Sequence, residues 1–138
     1  MKRSAIVILG AAVTLSMGAC PLTPDTVTVR LANKASFPVK VRLFYGDNQN
    51  SPESVLEAFG HELEYTIDPG ATESFSRDCD DLQSIFIKKA ELSILGGIGP
   101  TTSTRVYRDG SDFHCGDSMT FTFTQSTLAT ELRVSFSQ

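Results

Sequence analysis

The sequence lacks tryptophan altogether and has only two histidines and three cysteines among its 138 residues. Without tryptophan there is no Cys–Trp–Cys spacing, so a true immunoglobulin domain is excluded. The two histidines, His61 and His114, belong to no H-E-x-x-H pattern, and the chain contains no G-x-S-x-G nucleophile elbow. These absences leave no recognisable catalytic motif, and we predict that the protein is not an enzyme and uses no cofactor.

Basic residues are also scarce. Lys and Arg number 12 against 16 Asp and Glu, and Lys2 and Arg3 stand at the start of the chain. The remainder therefore carries 10 basic residues and a formal charge of −6. Proteins that bind nucleic acid need clustered Lys and Arg to displace counterions from the phosphates. The charge balance thus argues against a nucleic-acid partner.

The chain has one long apolar run, from Ala5 to Leu15, and it lies close to the basic residues at the start. This run is shorter than the roughly 20 residues that a membrane-crossing helix needs. The small residues Ser16, Gly18 and Ala19 follow it and lead directly to Cys20. A basic start, an apolar middle and a small-residue end are typical of an export signal.

The segment Met17-Gly18-Ala19-Cys20 resembles the lipobox of bacterial lipoproteins, with Met17 where that motif usually has leucine. The resemblance implies that residues 1–19 are removed as a signal peptide and that Cys20 is lipidated, with palmitate among its acyl chains. Residues 20–25 would then tether the protein to a membrane of the cell envelope. Pro21 stands where Asp would imply inner-membrane retention, which favours the outer membrane in a Gram-negative cell. Ordinary signal-peptidase cleavage, giving a soluble exported protein, and an uncleaved anchor are the alternatives.

The cysteine count fits the lipobox. Three cysteines in an exported protein leave one over. If Cys20 carries lipid, Cys79 and Cys115 remain as an even pair in an oxidising compartment, where disulfides persist. We therefore predict a Cys79–Cys115 disulfide; the alternative is two separate free thiols.

From Thr26 onwards the apolar residues alternate with polar ones, which predicts half-buried strands. One short helix is predicted over residues 51–60, with Ser51 as N-cap, Phe59 on the packing face and Gly60 in a left-handed stop. The turn Asp68-Pro69-Gly70 predicts a hairpin between the strands that flank it. A break in the strand pattern is expected near Lys88-Lys89, Gly96–Pro100 is read as a loop, and Thr102–Arg108 as a strand.

About eight short strands, one short helix and no βαβ rhythm predict an all-β domain over residues 26–138. The expected architecture is an antiparallel two-sheet β-sandwich, with a small closed β-barrel as the alternative. Alternation predicts which side chains point into the core: Val39, Val41, Leu43, Tyr65, Ile67, Ile85, Ile87, Phe121, Phe123, Leu132 and Val134. It predicts the opposite orientation for Lys40, Arg42, Thr120, Thr122 and Thr124.

Acidic residues cluster around the two cysteines of the predicted disulfide. They are Asp78, Asp80 and Asp81 beside Cys79, and Asp112 and Asp117 beside Cys115. A bridge would bring these carboxylates to one end of the domain, where hard cations such as Ca²⁺ find oxygen ligands. Since no continuous calcium-loop pattern is present, we expect solvated loop acids there and no metal site.

Thr120, Thr122 and Thr124 form a hydroxyl row on the polar side of one strand. Such a row is either ordinary β-propensity on a solvent face or part of a flat surface for a protein or glycan partner, together with Phe44. The leading prediction is a non-enzymatic envelope lipoprotein that binds or scaffolds another envelope component. The alternative is a small exported hydrolase with its site on the loops near Cys79 and Cys115.

Overall fold

The computed structural model describes residues 25–138 and shows two β-sheets packed face to face, with one short helix on the outside. The predicted signal peptide 1–19, the predicted lipidation of Cys20 and all of the predicted tether 20–25 except Asp25 lie outside these residues. Within residues 25–138, no helix has the length and apolar character needed to cross a membrane. The elements are β1 (Thr26–Asn33), β2 (Val39–Gly46), α1 (Glu53–Phe59), β3 (His61–Ile67), β4 (Thr72–Asp78), β5 (Ser84–Ile94), β6 (Gly97–Thr102), β7 (Tyr107–Arg108), β8 (Ser118–Gln125) and β9 (Leu132–Ser137).

The strands form two separate sheets. Sheet I has the order β4-β1-β8-β9, and sheet II has the order β3-β2-β5-β6, with β7 also paired to β5. The predicted two-sheet sandwich is confirmed, and the closed-barrel alternative is wrong for the described domain. All strand pairs are antiparallel except β1–β8, which is parallel and lies in the middle of sheet I. That pair is a departure from the expected antiparallel sandwich.

The core lies between the two sheets and is built as the alternation predicts. Nine of the eleven residues expected inside are buried, and Tyr65 and Val134 are half-buried and pack against the core. Lys40, Arg42 and Thr124 are exposed, while Thr120 and Thr122 are partly exposed on the outer side. Phe121 is fully buried, with its ring 5.4 Å from that of Tyr107 and 5.5 Å from that of Phe136.

The predicted hairpin around Asp68-Pro69-Gly70 is wrong. The turn itself is present, since Ala71 N–H donates to Asp68 O and Gly70 has a positive φ of 75°. However, β3 belongs to sheet II and β4 to sheet I, so the turn carries the chain from one sheet to the other. Asn33 at the end of β1 fixes this corner, because its buried amide Nδ2 donates to Ile67 O at 2.9 Å.

Helix α1 is shorter than predicted and is held differently. Pro52, not Ser51, occupies the N-cap position, and no side chain caps the helix start. Phe59 is 85% exposed, and only Leu56 is buried. Gly60 has φ −76°, so no left-handed stop forms. Glycine is needed at this position for another reason, since a Cβ would lie 2.5 Å from Leu56 O.

Phe44, expected on the surface, is buried. Its side chain does lie on the outer side of sheet II, but α1 covers it. The Phe44 ring stacks on Phe86 at 5.7 Å, and Leu56 of the helix completes this small second core. Lys88 on β5 secures the helix with a 2.6 Å ion pair to Glu57.

The second half of sheet II also differs from expectation. Strand β5 runs without a break through Lys88-Lys89, and the irregularity there is a register shift opposite Arg42 and Leu43. Strand β6 begins at Gly97 inside the expected loop, and the expected strand Thr102–Arg108 is reduced to β7. The register shift between β2 and β5 is a β-bulge, which adds one residue to a strand without ending its pairing with the neighbouring strand.

Replacing a core aromatic ring should be costly. We predict that Phe121→Ala lowers the free energy of unfolding by about 3 to 5 kcal/mol, because it removes a fully buried ring and leaves a cavity. Thr124→Ala, on the exposed side of the same strand, should change it by no more than about 0.5 kcal/mol. Urea unfolding of both variants measures the difference. A larger loss for Thr124→Ala than for Phe121→Ala would show that β8 is turned the other way.

The disulfide should be a major source of stability. Cys79 and Cys115 are 36 positions apart in sequence and are joined, with Cα atoms 5.4 Å apart. We predict that the double variant Cys79→Ala/Cys115→Ala has a free energy of unfolding lower by roughly 4 kcal/mol, since its unfolded chain is no longer constrained. Chemical denaturation with and without reductant checks this, and a wild-type protein insensitive to complete reduction would contradict it.

Candidate functional site

The disulfide lies at the end of the sandwich where the described chain begins. Cys79 N–H donates to Asp25 O at 2.9 Å, and Gly116 N–H donates to Thr26 O at 3.2 Å. A cavity of about 420 Å³ opens at this end. Its lining consists of Asp25, Asp78, Cys79, Asp80 and Cys115. We call this the tether end of the domain.

The five aspartates expected near the disulfide do not all meet there. Asp78 and Asp80 line the cavity, whereas Asp81 is exposed outside the lining. Asp112 accepts two hydrogen bonds from the Arg105 guanidinium, at 2.6 and 3.0 Å. Asp117 Oδ2 accepts a 2.7 Å hydrogen bond from His114 N–H. Across residues 25–138, no three His, Cys, Asp or Glu side chains are grouped so that they could hold a metal ion.

Asp112 is a structural carboxylate. Besides Arg105, the backbone N–H of Arg108 donates to its Oδ2 at 2.8 Å. Hydrogen bonding from Arg105 is the main cause that lowers the pKa of Asp112 below its usual value, with burial opposing it. The carboxylate therefore joins two parts of the loop and is not available to orient a histidine.

The residues that would serve a hydrolase do not form a relay. Ser111 Oγ lies 3.5 Å from Asp112 Oδ2, while His114 Nδ1 faces a different carboxylate, Asp117, at 3.8 Å. The other histidine, His61, stacks its ring on Tyr45 with centroids 5.0 Å apart. The lining of the tether-end cavity includes neither a histidine nor a hydroxyl nucleophile. None of these arrangements joins a nucleophile to a base, which catalysis by a triad requires.

A second cavity, of about 390 Å³, lies on the outer side of sheet II between long charged side chains. Most of these charges are paired with one another. Arg42 Nε lies 3.8 Å from Glu64 Oε1 and also contacts Glu62 beside the cavity, and Lys89 Nζ lies 2.5 Å from Glu91. The hydrogen bond that Arg42 donates to Glu62 is the main cause that raises the pKa of Arg42. We call this cavity the charged groove; its positive and negative side chains largely neutralise one another.

The outer side of sheet I has a different character. The register aligns outward side chains of its strands in three rows, which are short except for Arg30, and we call these rows the hydroxyl face. Row one contains Ser76, Thr28 and Ser118; row two contains Ser74, Arg30, Thr120 and Ser137; row three contains Thr72, Ala32, Thr122 and Ser135. Nine of these eleven residues are Ser or Thr.

The arrangement of this face follows from alternation in β1. Val27, Val29 and Leu31 point into the core, so Thr28 and Arg30 must point outward. Neighbouring strands are about 4.8 Å apart, and successive outward residues on a strand are about 6.8 Å apart. The hydroxyl face is thus a regular two-dimensional array, with a direct contact of 2.9 Å between Thr28 Oγ1 and Ser76 Oγ.

Carboxylates and large apolar side chains are both absent from these three rows. Asp78, opposite Thr26, borders them at the tether end, and Arg133, opposite Thr124 and paired with Glu131, borders them at the other end. The alternation in the sequence predicted that Thr120 and Thr122 lie on this face, together with Thr124 next to row three. It missed the serines of β4 and β9, because no local pattern says which strands lie beside β8. The hydroxyl face is the candidate binding surface of the domain.

The Arg105–Asp112 pair gives a pH-dependent contribution to stability. Because the pKa of Asp112 is lower in the folded state, its contribution is present above about pH 4 and is lost as pH falls through the folded-state value. We predict that Asp112→Asn lowers the free energy of unfolding by at most about 1 kcal/mol at pH 7, since Arg105 is mostly exposed. Urea unfolding should find this deficit smaller at pH 2 than at pH 7. The exposed Asp80→Asn is the control, and a deficit that grows on acidification would contradict the assignment.

No protein-family model matches the chain, and no curated protein matches it. Among solved structures, the chain is similar to an NMR structure of a protein from Eubacterium rectale, with 14% identity, coverage of 87% of this chain and 96% of that one, and a TM-score of 0.50. It is also similar to the T6SS lipoprotein TssJ1 from Pseudomonas aeruginosa, with 12% identity, 83% and 98% coverage, and a TM-score of 0.43. The membrane-binding domain of pneumolysin matches with 8% identity, 82% and 96% coverage, and a TM-score of 0.46. At such identities the likeness concerns the fold alone, and only the first of the three scores is high enough to support that statement.

Proposed function

We propose that the chain is a lipid-anchored binding protein of the bacterial cell envelope, which presents the hydroxyl face to another envelope component. One observation carries the anchoring part of the proposal. The chain has three cysteines, and the disulfide uses Cys79 and Cys115, so that Cys20 is the one left over. Cys20 is also the residue at the end of the lipobox-like segment.

The geometry of the described domain is compatible with such an anchor. From Cys20 to Asp25 the chain makes five residue steps, which reach at most about 18 Å. The tether end therefore stays near the membrane surface. Asp25, Asp78 and Asp80 at this end repel anionic lipid headgroups, which keeps the domain from lying flat on them.

A domain held in this way leaves its sheets free at the sides. The outer side of sheet II is partly covered by α1 and its charges are paired, whereas the outer side of sheet I carries no covering element among residues 25–138. A binding role, and not catalysis, fits a surface of hydroxyl groups that surrounds no cavity. The outer membrane is the proposed location, because Pro21 follows Cys20 at the position where Asp would imply retention in the inner membrane.

Lipidation of Cys20 is the direct test of the anchor. We predict that the mature protein fractionates with membranes and carries an acylated Cys20 as its first residue, measured by intact mass and by labelling with palmitate. Cys20→Ser should abolish the label and either release the protein or leave its precursor uncleaved. Thr23→Ser, three positions further on, is the matched control and should behave as the wild type.

A membrane-bound protein whose Cys20 has a free thiol, or a mature protein with an unmodified N-terminus at any other residue, would contradict the anchor. The first result would indicate an uncleaved segment, and the second a soluble exported protein.

A further inference from the structure

Arg30 occupies the middle of the hydroxyl face and differs from the other arginines of the described domain. Its neighbours across the strands are Ser74 on β4 and Thr120 on β8. The other five arginines each donate to a carboxylate, a carbonyl or a hydroxyl group: Arg42, Arg77, Arg105, Arg108 and Arg133. Among residues 25–138, Arg30 is the arginine without such a partner, and it is exposed. An exposed guanidinium with no internal acceptor is available for an external one.

The surroundings of Arg30 favour a particular kind of ligand. Nine of the eleven residues of the face are Ser or Thr. A hydroxyl group can both donate and accept a hydrogen bond, as the hydroxyls of a sugar can. The guanidinium adds a planar fork that matches a carboxylate in two parallel hydrogen bonds. The three rows contain no aromatic ring on which a neutral sugar could stack. Recognition on this face therefore depends on hydrogen bonds and on one positive charge.

Other classes of partner fit the face less well. The centres of protein–protein interfaces are depleted in Ser, and Ser and Thr are under-represented among the residues that dominate binding energy. An anionic membrane surface or a nucleic acid is bound by many cations, whereas these rows have one. A glycan with sparse carboxylates matches both the hydroxyl array and the single arginine.

We infer that the hydroxyl face binds peptidoglycan, with Arg30 paired to a peptidoglycan carboxylate and the flanking threonines bonded to the glycan. This rests on the proposed function, since a domain tethered to a bacterial envelope membrane is held beside the cell wall. Thr120 and Thr122 stand next to Arg30 and Ala32 in rows two and three. This placement puts both hydroxyls within reach of the glycan strand whose peptide carboxylate pairs with Arg30. Charge complementarity favours this ligand. The domain as a whole is acidic, but the three rows contain no carboxylate, so the guanidinium of Arg30 is available to pair with a carboxylate of the ligand.

The test is co-sedimentation of the detergent-extracted, full-length protein with purified sacculi that have been stripped of attached protein by protease. We expect Arg30→Gln to weaken binding about tenfold, because it removes a charge-assisted pair. Thr120→Val/Thr122→Val should weaken it by a similar factor while keeping the β-branched shape. Sacculi whose carboxylates are amidated with carbodiimide and glycinamide should bind the wild type as weakly as intact sacculi bind Arg30→Gln.

Two matched controls separate the face from general effects. Lys40→Gln removes an exposed cation, also without an ion pair among residues 25–138, from the outer side of sheet II. Thr127→Val alters an exposed threonine outside the hydroxyl face. Both should bind as the wild type does, and thermal melts should show every variant folded.

Undiminished binding by Arg30→Gln, or equal binding to amidated sacculi, would overturn the inference. Equal losses in Arg30→Gln and Lys40→Gln would also overturn it, because they would indicate attraction by net charge. Binding only to sacculi that were not treated with protease would overturn it as well, because it would indicate a protein partner. Intact mass of the same preparation reports lipidation separately. Arg30-dependent binding by an unlipidated protein would refute the anchor alone, and a lipidated protein that ignores sacculi would refute the ligand alone.

Discussion

The pairing of β1 with two neighbours is the interaction on which the rest of the structure depends. Strand β1 runs antiparallel to β4 and parallel to β8, so it holds sheet I together from the middle. One set of its side chains enters the core, and the other set builds the hydroxyl face. Its first residue follows the predicted tether, and its last, Asn33, fixes the corner where the chain crosses between sheets. The start of the domain, its core and its candidate surface are therefore connected through a single strand.

Local patterns in the sequence predicted the strands well but not their partners. Alternation in β2, β5 and β8 identified which side chains enter the core, because period two leaves no other choice for a half-buried strand. The turn at Asp68-Pro69-Gly70 was also predicted, yet the same turn chemistry serves a hairpin and a crossing between sheets. The outcome depends on the bond from Asn33 to Ile67 O, which joins residues far apart in sequence.

Two of the errors at α1, those concerning Phe44 and Phe59, have a similar origin. Phe44 does point away from the main core, as alternation requires, but a helix that follows it in sequence returns to cover it. The helix is only two turns long, so packing over Phe44 and Phe86 decides its position more than its caps do. Phe59, on the face predicted to be buried, then remains in solvent. Only one side chain of this helix, Leu56, is buried, so the rest of its apolar face stays in solvent.

The candidate surface could be predicted only in part. The cysteine count led to the disulfide, but nearness in sequence did not decide where the aspartates point, since Arg105 binds Asp112 and a backbone N–H binds Asp117. In contrast, Thr120 and Thr122 were visible from β8 alone. Arg30 and the serines of β4 and β9 joined them only through the sheet register, which no single strand encodes.

The claim that sheet I presents the binding surface is tested most directly by NMR titration of the isotope-labelled protein with soluble muropeptides. The account predicts that the perturbed signals map to the outward residues of β1 and β8, centred on the Arg30 guanidinium. Perturbations confined to the charged groove of sheet II, around Lys40 and Lys89, or to the tether-end cavity would contradict it.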